Sequence, residues 1–213
     1  MLDVSVNITQ GTSIWEAAAA IGTVAVAVAT FLAVLVALFG RDLWGRRHAP
    51  ILQIGYDPRE PYCRDTPMIV ENHGAKSTVD SHWLRVRITN KGRSTARSCK
   101  GKMIAIYGPD GVPRDDRDPM LLRWSSTPGD KAFEALDLAR DEWQFLDVAY
   151  AQDNLAFALI AAEPTPAGFP KTLEAERSHR VKIAVYADNA EPSTAEFVVT
   201  YGGTVDSLRM DWA

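Results

Sequence analysis

The chain has 213 residues, room for one membrane segment and one domain of about 160 residues with its own core, but not for a second large domain. Its formal charge is −4; taking Arg41, Arg46 and Arg47 from 23 basic residues and Asp3, Glu16 and Asp42 from 27 acidic ones leaves 20 against 24 after the N-terminal part. That balance argues against a general nucleic-acid binder, which is usually basic. Two cysteines, Cys63 and Cys99, are too few for a disulfide scaffold and fit neither a CxxC pair nor a four-ligand zinc site, so free thiols are expected, with a single bridge as the alternative.

In chain order, a tail over residues 1–14 precedes a predicted transmembrane helix over 15–40. Its apolar run, Ala17 to Phe39, carries no charge across 23 residues, and as a helix it extends about 34 Å against a hydrocarbon core of roughly 30 Å. Eleven of those residues are Val, Leu, Ile or Phe, and at roughly 0.3 to 0.6 kcal/mol each they favour insertion by several kcal/mol. Trp15 and Trp44 bracket the run where amphipathic rings prefer the headgroups. A cleaved signal peptide needs a basic start, a shorter apolar stretch and a small-residue cleavage site, and the sequence lacks these. Lys and Arg are absent before Trp15, whereas Arg41, Arg46, Arg47 and His48 follow the run. The positive-inside rule then predicts an inner-membrane protein with its tail outside and its large domain in the cytoplasm. Ala25, Ala29, Ala33 and Ala37 form one ridge on which a second helix can approach closely, so the span is a candidate self-association surface.

A basic juxtamembrane linker is expected over 41–50, and an all-β domain over 51–213. ILQIGY, SHWLRVRITN, SCKGKMIAIY, MLLRW, EWQFLDVAY, NLAFALIAA, HRVKIAVYA and AEFVVTY read as about eight strands between turn signals such as NKG, PDG, TPG and GG. Leu84, Val86 and Ile88 alternate with Arg85, Arg87 and Thr89, and Val181, Ile183 and Val185 alternate with Arg180, Lys182 and Ala184, as in strands buried on one face. The stretch from Asp130 to Asp141 has room for a helical turn. Strands at this spacing describe an antiparallel sandwich.

WLRVRITNKGRSTARSCKGKMIAIYG and SHRVKIAVYADNAEPSTAEFVVTYGG together resemble the strand–turn–strand units of prokaryotic immunoglobulin-like sandwich domains, including the bacterial adhesion-related kind. The resemblance implies that Asn90 to Gly92 turns the chain and that Ala96 is the small residue against which a crossing strand packs. It implies a fold and a role in binding but no reaction, and it admits a domain outside the cell as the alternative topology.

Sites for catalysis are absent at the level of motif. His48, His73, His82 and His179 lie in unrelated contexts, and there is no HExxH, nucleophile elbow, P-loop or dinucleotide fingerprint. Neither an enzyme nor a cofactor is expected. Cys99 neighbours Arg97 and Lys100, yet its strand position reads as a small core residue. The loop from Asp110 to Asp118 gathers carboxylates, but Arg114 and Arg117 among them favour a solvated loop over a cation site. The candidate surface is instead Arg85, Arg87, Lys91, Arg93, Arg97, Lys100 and Lys102, a run without an acidic residue that adjacent strands would gather into one basic patch. Such a patch suits an acidic protein, a nucleotide or anionic lipid headgroups, at about 1 kcal/mol per basic side chain near the surface. The sequence thus points to a membrane-anchored interaction module partnered by the bilayer and by another protein. The alternative is a ligand-responsive membrane effector or sensor, of the stress or phage-defence type, that oligomerises through its helix.

Overall fold

A computed structural model describes residues 13–72, 75–107, 111–112, 119–129, 131–153, 155–163 and 171–213. The chain divides into two compact units, Met1–Arg47 and His48–Ala213.

The first unit contains α1, Ile14–His48. A capping box starts it: Glu16 N–H donates to Ser13 Oγ at 3.3 Å, and Ser13 N–H donates to Glu16 Oε2 at 3.0 Å. Ile14–Leu38 is long and apolar enough to cross a bilayer, a test that a signal sequence also passes. Its two hydroxyls are satisfied within the helix, Thr23 donating to Ala19 O at 2.9 Å and Thr30 to Val26 O at 2.8 Å, as a dry surrounding requires. Ala25, Ala29, Ala33 and Ala37 are all exposed. The helix continues to His48, so most of the expected linker is helical. The side chains of Arg41, Trp44, Arg46 and Arg47 lie outside the described ones.

The second unit is antiparallel β. Its strands are β1 Leu52–Gly55, β2 Cys63–Asp65, β3 Met68–Asn72, β4 Ala75–Val79, β5 Ser81–Asn90, β6 Ala96–Tyr107, β7 Met120–Trp124, β8 Leu136–Leu138, β9 Trp143–Gln152, β10 Ala158–Ile160, β11 Ala162–Glu163, β12 Thr172–Leu173, β13 Arg177–Ala187, β14 Ala190–Tyr201 and β15 Arg209–Trp212. Eight of them follow one path, β1-β5-β9-β7-β6-β13-β14-β15. The short β2, β8, β10, β11 and β12 attach to its sides, and β3 and β4 form a separate hairpin. The sheet curls until β1 meets β14. Leu52, Leu84, Val86, Ile88, Leu146, Val181, Ile183, Phe197 and Met210 thereby share one core. The expected sandwich of two separate sheets is thus replaced by a single curled sheet whose halves are joined by β7, which pairs β9 through Arg123 and Trp124 and β6 through Met120 and Leu121.

The turn from Asn90 to Gly92 fixes the entry into this domain. Asn90 is fully buried; its Oδ1 accepts from Ile51 N–H at 3.2 Å and Gly92 N–H at 3.0 Å, while its Nδ2 donates to Ser94 O at 2.8 Å and Leu138 O at 3.0 Å. One side chain therefore saturates four backbone groups that would otherwise be buried without partners. Ala96 is fully buried, pairing with Leu138. The stretch expected to allow a helical turn instead holds turns and β8.

Candidate functional site

Neighbouring strands place three charges in one row across the sheet. Asp147 on β9 is the register partner of Arg85 on β5 and of Arg123 on β7. Arg85 Nε lies 3.1 Å from Asp147 Oδ1 and Arg123 Nε lies 3.9 Å from Oδ2, with the Asp147 side chain only 4% exposed. Ser125 donates a hydrogen bond to the same carboxylate. Burial pushes the Asp147 carboxyl up, while Ser125, Arg85 and Arg123 pull it back without cancelling that effect.

Beside this row, Trp83 and Tyr150 are also register partners, and their rings stack at 4.4 Å with an interplanar angle of 16°. The Arg123 guanidinium stands 5.5 Å from the Trp83 ring centre. Trp83 Nε1 is satisfied by Ser81 Oγ at 2.9 Å, which leaves the aromatic pair to serve as a wall. The return of the chain after β7 builds the opposite side. Trp124 N–H donates to Ala132 O at 2.8 Å, with Ser126 at a φ of 61°, and this fold-back brings Phe133 over the sheet.

The result is a cleft of about 220 Å³. Trp83, Tyr150, Phe133 and Met68 supply its apolar walls, Ile160 and Ala161 its floor, and Arg123, Lys171 and Glu163 its charges. Lys171 Nζ lies 3.8 Å from Glu163 Oε1, a loose pair on a half-exposed rim. Arg123 Nε is buried and faces Asp147 at 3.9 Å without a hydrogen bond, while the side chain as a whole is 34% exposed and lines the cleft, so its charge is presented there. Concavity, apolar walls and a few convergent charges are the attributes of a small-molecule site. Among the described residues no group of three or more His, Cys, Asp or Glu is arranged to hold a metal ion.

The basic run is not one patch. β9 and β7 intervene between β5 and β6, so Arg85 and Arg87 stand apart from Lys100 and Lys102. Arg85 is committed to Asp147, Arg87 lies 5.7 Å from the Tyr62 ring, Lys91 pairs with Asp141 at 3.5 Å, and Lys102 lies 5.5 Å from the Tyr186 ring. Arg93, Arg97 and Lys100 are exposed. The reason is topological, because β5 and β6 follow one another in sequence yet do not pair. Cys99 is fully buried and burial pushes its thiol up to about 11, in keeping with a core residue. No disulfide links it to Cys63. Most of the Asp110–Asp118 loop, and His73, lie outside the described residues.

The cleft residues carry no sequence motif. A signal was present in WQFLDVAYA, an almost unbroken apolar run that reads as a strand covered on both faces.

No family model matches the chain, and no curated protein matches it. Among solved structures, the chain resembles one described as an ApaA protein from Bordetella pertussis, at 15% identity and a TM-score of 0.31, over 72% of this chain and 95% of that one. A likeness this slight carries no argument, and the cleft must be read from its own geometry.

Proposed function

We propose that the chain is a membrane-anchored recognition module that binds a small organic anion with an apolar, ring-sized body in the cleft beside Trp83 and Tyr150. The single observation that carries this reading is Arg123, a partly exposed guanidinium that lines the cleft against the aromatic wall of Trp83. Arg85 takes the closer share of Asp147, which leaves Arg123 with net positive character toward the cleft. Recognition is favoured over catalysis because the polar groups converging here are cations and one carboxylate, without a nucleophile and base in contact. In this reading α1 spans the inner membrane and the charges after it hold the β-domain in the cytoplasm. Docking on anionic headgroups is not part of this reading, because β9 and β7 lie between the two strands that carry Arg85, Arg87, Lys100 and Lys102.

The test is a titration of the full chain in neutral detergent micelles with phenyl phosphate, followed by tryptophan fluorescence, with benzyl alcohol as the uncharged control. Saturable quenching by phenyl phosphate alone, weakened about tenfold by Arg123→Gln with a melting temperature lowered by no more than about 4 °C, is expected. The expected loss is about 1.4 kcal/mol, the usual scale for a charged hydrogen bond. Quenching that is not saturable, or that ignores the substitution, contradicts the assignment.

A second reading, a ligand-responsive effector assembled through its helix, draws on the exposed ridge of Ala25, Ala29, Ala33 and Ala37. Ala29→Leu with Ala33→Leu then lowers the crosslinked dimer yield in membranes, and an unchanged yield discards it.

A further inference from the structure

At one end of β2 and β5, away from the Asp147 row, four reactive groups meet. Asp65 and His82 are register partners, and Cys63 sits two residues before Asp65, on the same strand face. Asp65 Oδ1 lies 2.6 Å from His82 Nδ1. The other ring nitrogen, Nε2, is buried and has no conventional hydrogen-bond partner. The Cys63 thiol stands on the face of β2 that carries Asp65, beside the His82 strand, and the Tyr56 hydroxyl lies 3.4 Å from Cys63 Sγ. Cys63 and Asp65 together hold the His82 pKa above its ordinary value against the opposing effect of burial. Cys63 is half-buried against the core, the His82 side chain is 12% exposed and that of Asp65 is 79% exposed, so solvent meets the group at its Asp65 edge.

We propose that Cys63, His82 and Asp65 form a reactive-thiol site that accepts small disulfides by exchange. Asp65 orients the ring through Nδ1, and the opposite nitrogen takes the thiol proton. Cys63 Sγ attacks one sulfur of R–S–S–R′; the new Sγ–S bond forms as the old S–S bond breaks. The electron pair leaves on R′S⁻, which recovers the proton from His82. One disulfide is consumed and one is made, so the step needs no other oxidant. The arrangement follows the general logic of a nucleophile beside a base that a third group orients. The other titratable or charged groups facing the thiol and ring are Tyr56 and, through Tyr56, Asp211 and Arg209. Tyr56 is pushed up by burial and by Cys63, so it remains a neutral hydroxyl throughout the working range. Cys99, fully buried with its thiol pushed up, is the internal control.

The experiment mixes the full chain, in neutral detergent micelles and with Cys99→Ala as background, with 2,2′-dithiodipyridine and follows release of pyridine-2-thione. At about pH 6.5, Cys63 is expected to react about tenfold or more faster than glutathione. His82→Gln and the exposed Asp65→Asn are each expected to bring that rate down several-fold. Asp65→Asn keeps the test decisive if His82→Gln perturbs folding. A Cys63 rate equal to that of glutathione at pH 6.5, or an Asp65→Asn rate equal to that of the parent, overturns the proposal.

Discussion

Asp147 shows how burial changes what a charge is worth. Its carboxylate and the Arg85 guanidinium, 11% exposed, have both left water, whereas Arg123 is 34% exposed and farther away. Breaking a buried pair strands the remaining charge at roughly 3 to 5 kcal/mol, while an exposed partner counts for about 1 kcal/mol or less. Arg85→Met is therefore expected to cost about 3 kcal/mol in urea melts of the full chain in micelles, and Arg123→Gln about 1 kcal/mol or less. Equal losses would show that the row is not divided as the distances indicate. Cys99 makes a second residue-level prediction. Its thiol pKa is about 11 in the folded chain against an ordinary 9.0, so folding favours the neutral form. That contribution is whole below pH 9 and disappears as pH rises toward 11, a loss of about 2 to 3 kcal/mol. Cys99→Ala should lose less stability than its parent across that window, and parallel alkaline curves would refute this. At this scale the alternation of Leu84, Val86 and Ile88 was legible, because a period of two needs only the strand itself. The role of Arg85 was not, because Asp147 lies 62 positions later and only strand pairing joins them.

At the level of elements, the long strands were readable from their apolar patterns. The eight strand-like runs correspond to β1, β5, β6, β7, β9, the β10–β11 pair, β13 and β14. β2, β3, β4, β8, β12 and β15 were missed, and each has five or fewer residues. Such segments take their conformation from a neighbouring ladder more than from their own composition. The Asn90–Gly92 turn was legible as a turn but not as a clamp. A Cβ on Gly92 would stand 2.4 Å from Ile51 N and Pro50 Cα and 2.5 Å from Ala49 O, all backbone. Backbone cannot swing aside as a side chain can, so Gly92→Ala should cost about 3 kcal/mol by thermal or urea melting, the upper part of the range for overpacking. A loss below about 0.5 kcal/mol would mean that the entry strand is not held against this turn. At Gly101 the atoms met belong to the Leu146 side chain, which leaves more room for adjustment.

For the whole molecule, the division into an apolar helix and a β-domain could be read from the sequence, because an uncharged run of this length has few other uses. The curl of the sheet was not legible, since strand order depends on how β7 and β9 insert between β5 and β6. That same insertion split the basic run and created the cleft. Anchoring remains the claim on which the functional account depends, and a membrane-spanning helix and a removable signal sequence differ in a directly measurable way. The decisive measurement is alkaline carbonate extraction of membranes from expressing cells, combined with the intact mass of the recovered chain. Retention in the pellet at 23.4 kDa is the predicted result. A chain shortened by its apolar N-terminus and released to the supernatant would contradict the account.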